Sequence, residues 1–151
     1  MKIKDVVCAA GSTGFYFDDQ RAIKRGARVQ LILPSISDVP LIQMMSRAYL
    51  KPLLEAGAEI FARQGTILHA KVMLIDNRWA TLGSANLDYR SFHRNFEINV
   101  IIDSRAFGTQ LEALFSKELE QSRRITIEDN TRLTRLERFL RWLLTPLSRF
   151  L

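Results

Sequence analysis

Residues 68–86 read LHAKVMLIDNRWATLGSAN, and this stretch decides the fold. Its first part predicts a strand at 68–75, in which residues 69, 71 and 73 share one face and 70, 72 and 74 the other. Asp76, Asn77 and Arg78 predict a turn, and 79–82 returns as a second strand. Trp79 is expected to pack in the core. Because residues 69 and 71 lie on the same face of the first strand, the polar side chains of His69 and Lys71 share one face of the predicted sheet.

Strands and helices alternate on both sides of this stretch. Predicted strands cover 6–10, 29–33, 59–62 and 96–102. Predicted helices run from Asp18 or Asp19 to Gly26, over 38–55, and over 105–121, where the apolar stripe is Phe107, Leu111, Leu114, Phe115 and Leu119. This alternation predicts an α/β layered domain. Residues 1–16 are otherwise left unassigned.

The composition limits which partners and which cell compartment are expected for this protein. The 151 residues carry a net charge of +6 and a pI near 9.9, which favour nucleic acid, anionic lipid or phosphate esters. Cys8 is the single cysteine, so no internal disulfide forms. The sequence contains no apolar run of about 18 residues, so a transmembrane helix is not predicted. The first residues do not have the pattern of a secretory signal.

The polar residues of the central stretch suit chemistry at phosphorus. A histidine such as His69 can attack a phosphoester and form a covalent phosphohistidine. Lys71, Ser84 and Asn86 offer donors to the oxygens that gather negative charge in the transition state. A nucleophilic imidazole needs a partner that fixes its tautomer, and Glu97 on the next predicted strand is the candidate.

The pattern H-x-K-x4-D-x6-G-S-x-N formed by these residues resembles the signature of the phospholipase D superfamily, with every spacing matched. Further segments resemble the downstream half of a bacterial cardiolipin synthase: RGARV at 25–29, LLEAGA at 53–58, NLDYRSF at 86–92, NFE at 95–97 and WLLTPL at 142–147. The resemblance implies a layered α/β/α domain, with a mixed central sheet flanked by helices, over residues 17–128.

The resemblance also implies a role for each matched residue. His69 is the nucleophile or the general acid, Lys71 and Asn86 bind the phosphate, and Ser84 assists them. Glu97 orients His69. Asp76 belongs to the same set of site residues, in a more structural role that places hydrogen bonds near the motif. The family needs no metal or cofactor, and none is expected here.

A single copy of the motif is present, whereas enzymes of this family use two. The resemblance therefore implies that either a homodimer or a missing N-terminal half completes the site. The N-terminal residues, which match no segment of the family, favour a truncated form of a synthase about three times longer.

The C-terminal segment, residues 129–151, predicts a basic amphipathic helix. Its apolar stripe includes Leu133, Leu136, Leu140, Leu143 and Leu147, and residues 132–149 carry a net +4. Such a helix suits peripheral contact with an anionic membrane through 131–151, although packing of the leucines on the domain is an open alternative.

The leading functional prediction is a cardiolipin synthase-like phosphatidyltransferase, or a phospholipase D phosphodiesterase, that acts on a phosphatidylglycerol-like anionic phospholipid through phosphohistidine. It would work in the bacterial cytoplasm or at the cytoplasmic face of the membrane. The alternatives are a homodimeric endonuclease of the same family, with nucleic acid as its partner, and an inactive lipid-binding fragment.

Overall fold

A computed structural model describes residues 3–10, 18–36, 50–85 and 96–131. The strands in this part of the chain are β1 Asp5–Ala10, β2 Arg28–Pro34, β3 Glu59–Arg63, β4 Lys71–Ile75, β5 Trp79–Gly83, β6 Asn99–Asp103 and β7 Ser122–Ile125. The helices are α1 Asp18–Lys24, α2 over 50–56, α3 Arg105–Glu120 and α4 Ile127–Thr131.

The strands form one mixed sheet of seven, in the order β6-β5-β4-β1-β2-β3-β7. β1, β2 and β3 run parallel to one another, and every other neighbouring pair is antiparallel. The strand that follows His69, β4, lies inside the sheet between β1 and β5. The motif is thus built on a rigid, paired element.

Helices cover both faces of the sheet and enclose two hydrophobic cores. The first core joins the sheet to α1 and α2 and includes Val6, Val29, Leu31, Leu50, Leu53 and Ile60. The second core joins the opposite face to α3 and includes Ile32, Leu74, Ala80, Leu111 and Phe115. The predicted layered α/β/α domain with a mixed central sheet is therefore confirmed.

Two strands, β4 and β6, begin later than the sequence predicts. β4 begins at Lys71 and not at residue 68, because the β1 ladder ends where Ala10 pairs with Lys71. β6 begins at Asn99 and not at residue 96, because β5 ends at its partner Gly83. The predicted alternation of faces along β4 is correct, since Met73 packs against the first core and Leu74 lies in the second.

Three further predictions need correction. Leu114 is 57% exposed, because α3 turns only the rest of its apolar stripe toward the sheet. Trp79 is 37% exposed at the start of β5, so it is not a core residue. The polar strand β7 was not predicted, because Arg123 and Arg124 carry no strand pattern and only pairing with β3 defines it.

Several predicted features lie outside the described residues. They are most of the helix at 38–55, of which the structure describes residues 50–56 as helical, together with Asn86 and residues 132–151.

Candidate active site

His69 and Lys71 form a direct side-chain contact. Lys71 Nζ lies 2.9 Å from His69 Nε2 and 3.0 Å from the His69 carbonyl oxygen. A lysine ammonium has donors only, so in this arrangement Nε2 of His69 accepts and the ring proton belongs on Nδ1. His69 is exposed and Lys71 is half-buried, so the pair lies open to a ligand.

Lys71, Gly83 and Asn99 lie side by side across three strands. Gly83 pairs with Asn99, and the pairing of Val72 with Leu82 places Gly83 beside Lys71. Because side chains alternate along strands, Lys71 and Asn99 project from the same face of the sheet. A Cβ on Gly83 would lie 2.0 Å from Asn99 Oδ1 and 2.2 Å from the Ile98 carbonyl oxygen. Gly83 is therefore required by the close approach of β6.

Ser84 and Glu97 form the second contact between predicted site residues. Ser84 Oγ donates to Glu97 Oε2 at 2.5 Å and accepts from the Ile98 amide at 3.0 Å. A hydroxyl has one proton, so in this arrangement Ser84 directs it at Glu97. The expected roles of Glu97 toward His69 and of Ser84 toward phosphate stay predictions.

Asp76 lies at the far end of β4 from Lys71, about 16 Å away at the rise of an extended strand. Its Oδ1 accepts from the Lys4 amide at 2.7 Å and from the Asp5 amide at 2.9 Å. The Asp76 amide donates to the Asp5 carbonyl at 3.0 Å. This carboxylate thus joins the end of β4 to the start of β1, a geometry that fits the structural role expected of it.

The turn after β4 is held against the start of α3. Asp76 and Asn77 have φ values of 52° and 50°, the left-handed conformation that a tight hairpin turn needs and that Asp and Asn tolerate. Asn77 Nδ2 donates to Glu112 Oε2 at 2.5 Å. A Cβ on Gly108 would lie 2.4 Å from the Asn77 carbonyl oxygen, so α3 seats directly on the turn.

An ion pair closes the same junction. Arg78 Nη2 donates to Asp103 Oδ2 at 2.9 Å, and the Arg78 Nε also donates to this carboxylate. These hydrogen bonds, helped by the charge of Arg78, hold the pKa of Asp103 below its ordinary value. The Ser104 amide donates to the Arg78 carbonyl at 3.1 Å, which joins the end of β6 to the turn.

Among the described residues, the predicted site residues fall into two contacting pairs and one separate residue. His69 meets Lys71, Ser84 meets Glu97, and Asp76 is remote from both. Asn99 beside Gly83 was missed by sequence reasoning, and its only signal was a carboxamide at the start of a strand whose next three residues are apolar. Among the described residues no group of three or more His, Cys, Asp or Glu side chains is placed to hold a metal ion.

Comparison with known proteins identifies the class to which this fold and site belong. The family profile described as "Cardiolipin synthase, PLD-like domain" matches residues 18–119, more than half of the chain. The chain therefore belongs to this family, within the phospholipase D superfamily.

Individual relatives agree with that assignment. Cardiolipin synthase A of Pseudomonas entomophila is 38% identical over 116 residues, an alignment that covers 77% of this chain and 24% of the relative. The chain thus spans about a quarter of the length of the relative it matches.

Solved structures support the fold. A phospholipase D family member, Nuc from Salmonella typhimurium, superimposes with a TM-score of 0.70 at 18% identity and covers 82% of each chain. Phosphatidylserine synthase from Haemophilus influenzae gives a TM-score of 0.73 at 16% identity, with 97% of this chain and 40% of that chain covered. The chain is thus a cardiolipin synthase-like phospholipase D domain.

Proposed function

We propose that this domain transfers a phosphatidyl group between phosphatidylglycerol-like lipids through a phosphohistidine at His69. The observation that carries the proposal is the contact of His69 Nε2 with Lys71 Nζ, an imidazole beside an ammonium on an open sheet face. The relative at 38% identity is named for lipid synthesis, and this favours a phospholipid over other phosphodiesters.

The first half of the reaction forms the covalent intermediate. The lipid phosphate attracts Lys71, which leaves the lone pair of His69 Nε2 free to attack phosphorus. The new P–N bond forms as the P–O bond to the headgroup glycerol breaks, and a second imidazole gives its proton to the departing oxygen. Lys71 and Asn86 stabilise the charge on the phosphoryl oxygens.

The second half releases the product. A hydroxyl of another phosphatidylglycerol attacks phosphorus, the P–N bond breaks, and the hydroxyl proton passes to the second imidazole. The products are cardiolipin and glycerol. Water in place of the second lipid gives phosphatidic acid, which is the phospholipase D reaction.

The second imidazole is assigned to a second copy of this chain. Exposed apolar residues lie near the site on and before β6: Phe96 is fully exposed, Ile98 80% exposed and Ile101 71% exposed. Ile101 shares a sheet face with Asn99 and Lys71, so a partner that covers it would stand beside His69. The alternative is that the remaining half belongs to a longer chain, as the relatives' lengths suggest.

The test measures products from phosphatidylglycerol vesicles, and separately from DNA, over a dilution series of the protein. We expect cardiolipin or phosphatidic acid, with a specific activity that falls on dilution as dimers dissociate. His69→Ala should lower the rate on the order of 10⁶-fold, as loss of a nucleophile does. Lys71→Met should also be impaired, whereas Lys117→Met on the exposed side of α3 should match wild type.

Distinct outcomes contradict distinct parts of the proposal. A His69-dependent product from DNA alone favours the homodimeric endonuclease. Turnover independent of concentration in a monomer removes the second copy. The absence of any His69-dependent product leaves a lipid-binding fragment without catalytic activity.

A further inference from the structure

We propose that Asn99 is a positioning residue that holds Ser84 and Ala85, at the end of β5, in place for phosphate. The inference rests on the proposed function, because it concerns the same site. No motif of the sequence includes Asn99. Its part in the site follows from the packing of β5 against β6.

Asn99 sits against the end of β5 at two points. Its Oδ1 occupies the space above Gly83, where an added Cβ would come within 2.0 Å. The same oxygen accepts from the Ala85 amide at 3.4 Å, a long hydrogen bond. Gly83 and Asn99 thus form a matched pair in which the missing side chain of one makes room for the carboxamide of the other.

Side chains replace the backbone ladder where β5 leaves the sheet. The Ser84 amide donates to the Ile98 carbonyl at 3.0 Å, just past the paired ends of β5 and β6. In the return direction the Ile98 amide donates to Ser84 Oγ, and beyond it the Ala85 amide donates to Asn99 Oδ1. The backbone at Ser84 and Ala85 is therefore held by the Ser84 hydroxyl and the Asn99 carboxamide.

Losing the carboxamide should disturb the reaction more than the fold. Asn99 is exposed at an edge strand, so its replacement opens no cavity. Without its Oδ1 the Ala85 amide loses its acceptor, and the adjoining Ser84 is free to shift. A displacement of about 1 Å in a positioning group costs on the order of 100-fold in rate.

The test compares Asn99→Leu, Asn99→Asp and the control Thr81→Val in the full chain. Leucine keeps the approximate size and removes the acceptor, whereas aspartate keeps an acceptor oxygen but adds a negative charge. Thr81 lies on the same sheet face one row away, pairing with Ile101. Circular dichroism melting first establishes that each variant is folded.

Two measurements are made on each variant. Amide hydrogen exchange at Ala85, followed by NMR without substrate, should speed up about 10-fold in Asn99→Leu and stay unchanged in Asn99→Asp and Thr81→Val. Turnover of bis(p-nitrophenyl) phosphate should show kcat reduced about 100-fold in Asn99→Leu. In Asn99→Asp, kcat should be largely retained while KM rises, because the added charge repels the phosphate.

The outcomes separate this inference from the proposed function. Unchanged exchange at Ala85 in Asn99→Leu, or an unchanged kcat, overturns the positioning role. If the wild-type protein turns over neither phosphatidylglycerol nor bis(p-nitrophenyl) phosphate, the proposed function is wrong. The contribution of Asn99 to the reaction is then wrong as well. The Ala85 exchange rate then still decides whether Asn99 holds Ser84 and Ala85.

Discussion

Asp76 and His69 belong to one sequence signature but serve different ends of the same strand. His69 lies just before β4, in contact with Lys71, whereas Asp76 follows β4 and accepts hydrogen bonds from the amides of Lys4 and Asp5. The spacing that unites them in sequence is the length of a strand. A residue that does chemistry and a residue that holds two strands together therefore look alike in a sequence motif.

Removal of the Asp76 carboxylate should lower stability. Asp76→Ala deletes an ionised acceptor of two amide hydrogen bonds and places alanine in a left-handed conformation, which together should cost about 2 kcal/mol. Asp76→Asn, which keeps one acceptor oxygen and tolerates the conformation, should cost about half of that. Urea denaturation followed by circular dichroism measures both.

Glu120→Ala is the matched control, because Glu120 is an exposed carboxylate at the end of α3. It should change the free energy of unfolding by less than about 0.5 kcal/mol. If Asp76→Ala unfolds at the same urea concentration as this control, Asp76 does not anchor β1 to β4.

Sequence reasoning found His69 and Lys71, whose side-chain chemistry stands out on a strand. It missed Asn99, whose importance comes from where it lies in the folded sheet. An imidazole two residues from an ammonium on a strand stands out, so His69 and Lys71 were predicted as a pair. Asn99 has no such signature, because its role depends on its pairing with Gly83. That pairing is set by the register of β5 against β6, which the local sequence does not reveal.

At the scale of elements, the turn at 76–78 and helix α3 form one joint. Gly108 lies in the first turns of α3 against the carbonyl of Asn77, and Asn77 in turn donates to Glu112. The helix therefore packs on the hairpin as well as on the sheet. A glycine is needed at position 108 because a side chain there would meet the turn, although a helix interior would ordinarily favour alanine.

Gly108→Ala tests this joint. Alanine gains up to about 1 kcal/mol of helix propensity, but the clash with the Asn77 carbonyl oxygen at 2.4 Å should cost about 2–3 kcal/mol. The net expectation is a loss of stability, measured as a lower melting temperature. Gly65→Ala is the comparison, since a Cβ there meets open space and only the φ of 74° is strained. A stabilised Gly108→Ala variant would show that helix and turn do not touch.

The elements that sequence reasoning predicted well are those whose pattern is local. The strands β2 and β3 and the helix α3 carry apolar periodicity of their own, and their predicted bounds lie within a residue or two of those observed. β7 and the starts of β4 and β6 depend on partners far along the chain. The β-propensity of a segment does not predict where its hydrogen-bonded ladder ends, because the length of the neighbouring strand sets that limit.

At the scale of the whole molecule, the charge is distributed unevenly. The described domain carries several paired charges, including Arg28 with Glu59, Arg63 with Glu118, and Arg123 with Asp129. The segment 132–149 holds a net +4 of the total +6. We propose that this segment provides the contact with an anionic membrane. Among the described residues no helix is long and apolar enough to cross a membrane.

Replacing Arg135, Arg138 and Arg141 by glutamine should weaken binding to phosphatidylglycerol vesicles. At about 1 kcal/mol per basic residue near an anionic surface, three replacements predict a loss on the order of 100-fold in partitioning. Sedimentation with vesicles at low salt measures it. Glutamine at Lys24, Arg25 and Arg105, three exposed cations of the domain, removes the same charge as a control. Equal losses in both triple variants would mean that net charge, and not this segment, governs binding.

The position of β1 has a consequence for how the domain folds. β4, β5 and β6 form a meander of neighbours in sequence, while β2 pairs with β3 and β3 with β7. Among the described strands, β1 is the one that joins these two groups. Its contact with Asp76, through the Asp5 amide, spans 71 residues of chain. Local hairpins close in microseconds, whereas pairing across such a distance is slow. We expect the half-sheet bearing Lys71 to gain its hairpins early and to remain detached until this long-range seam closes, so the pairing of β1 with β4 sets the rate at which the domain folds.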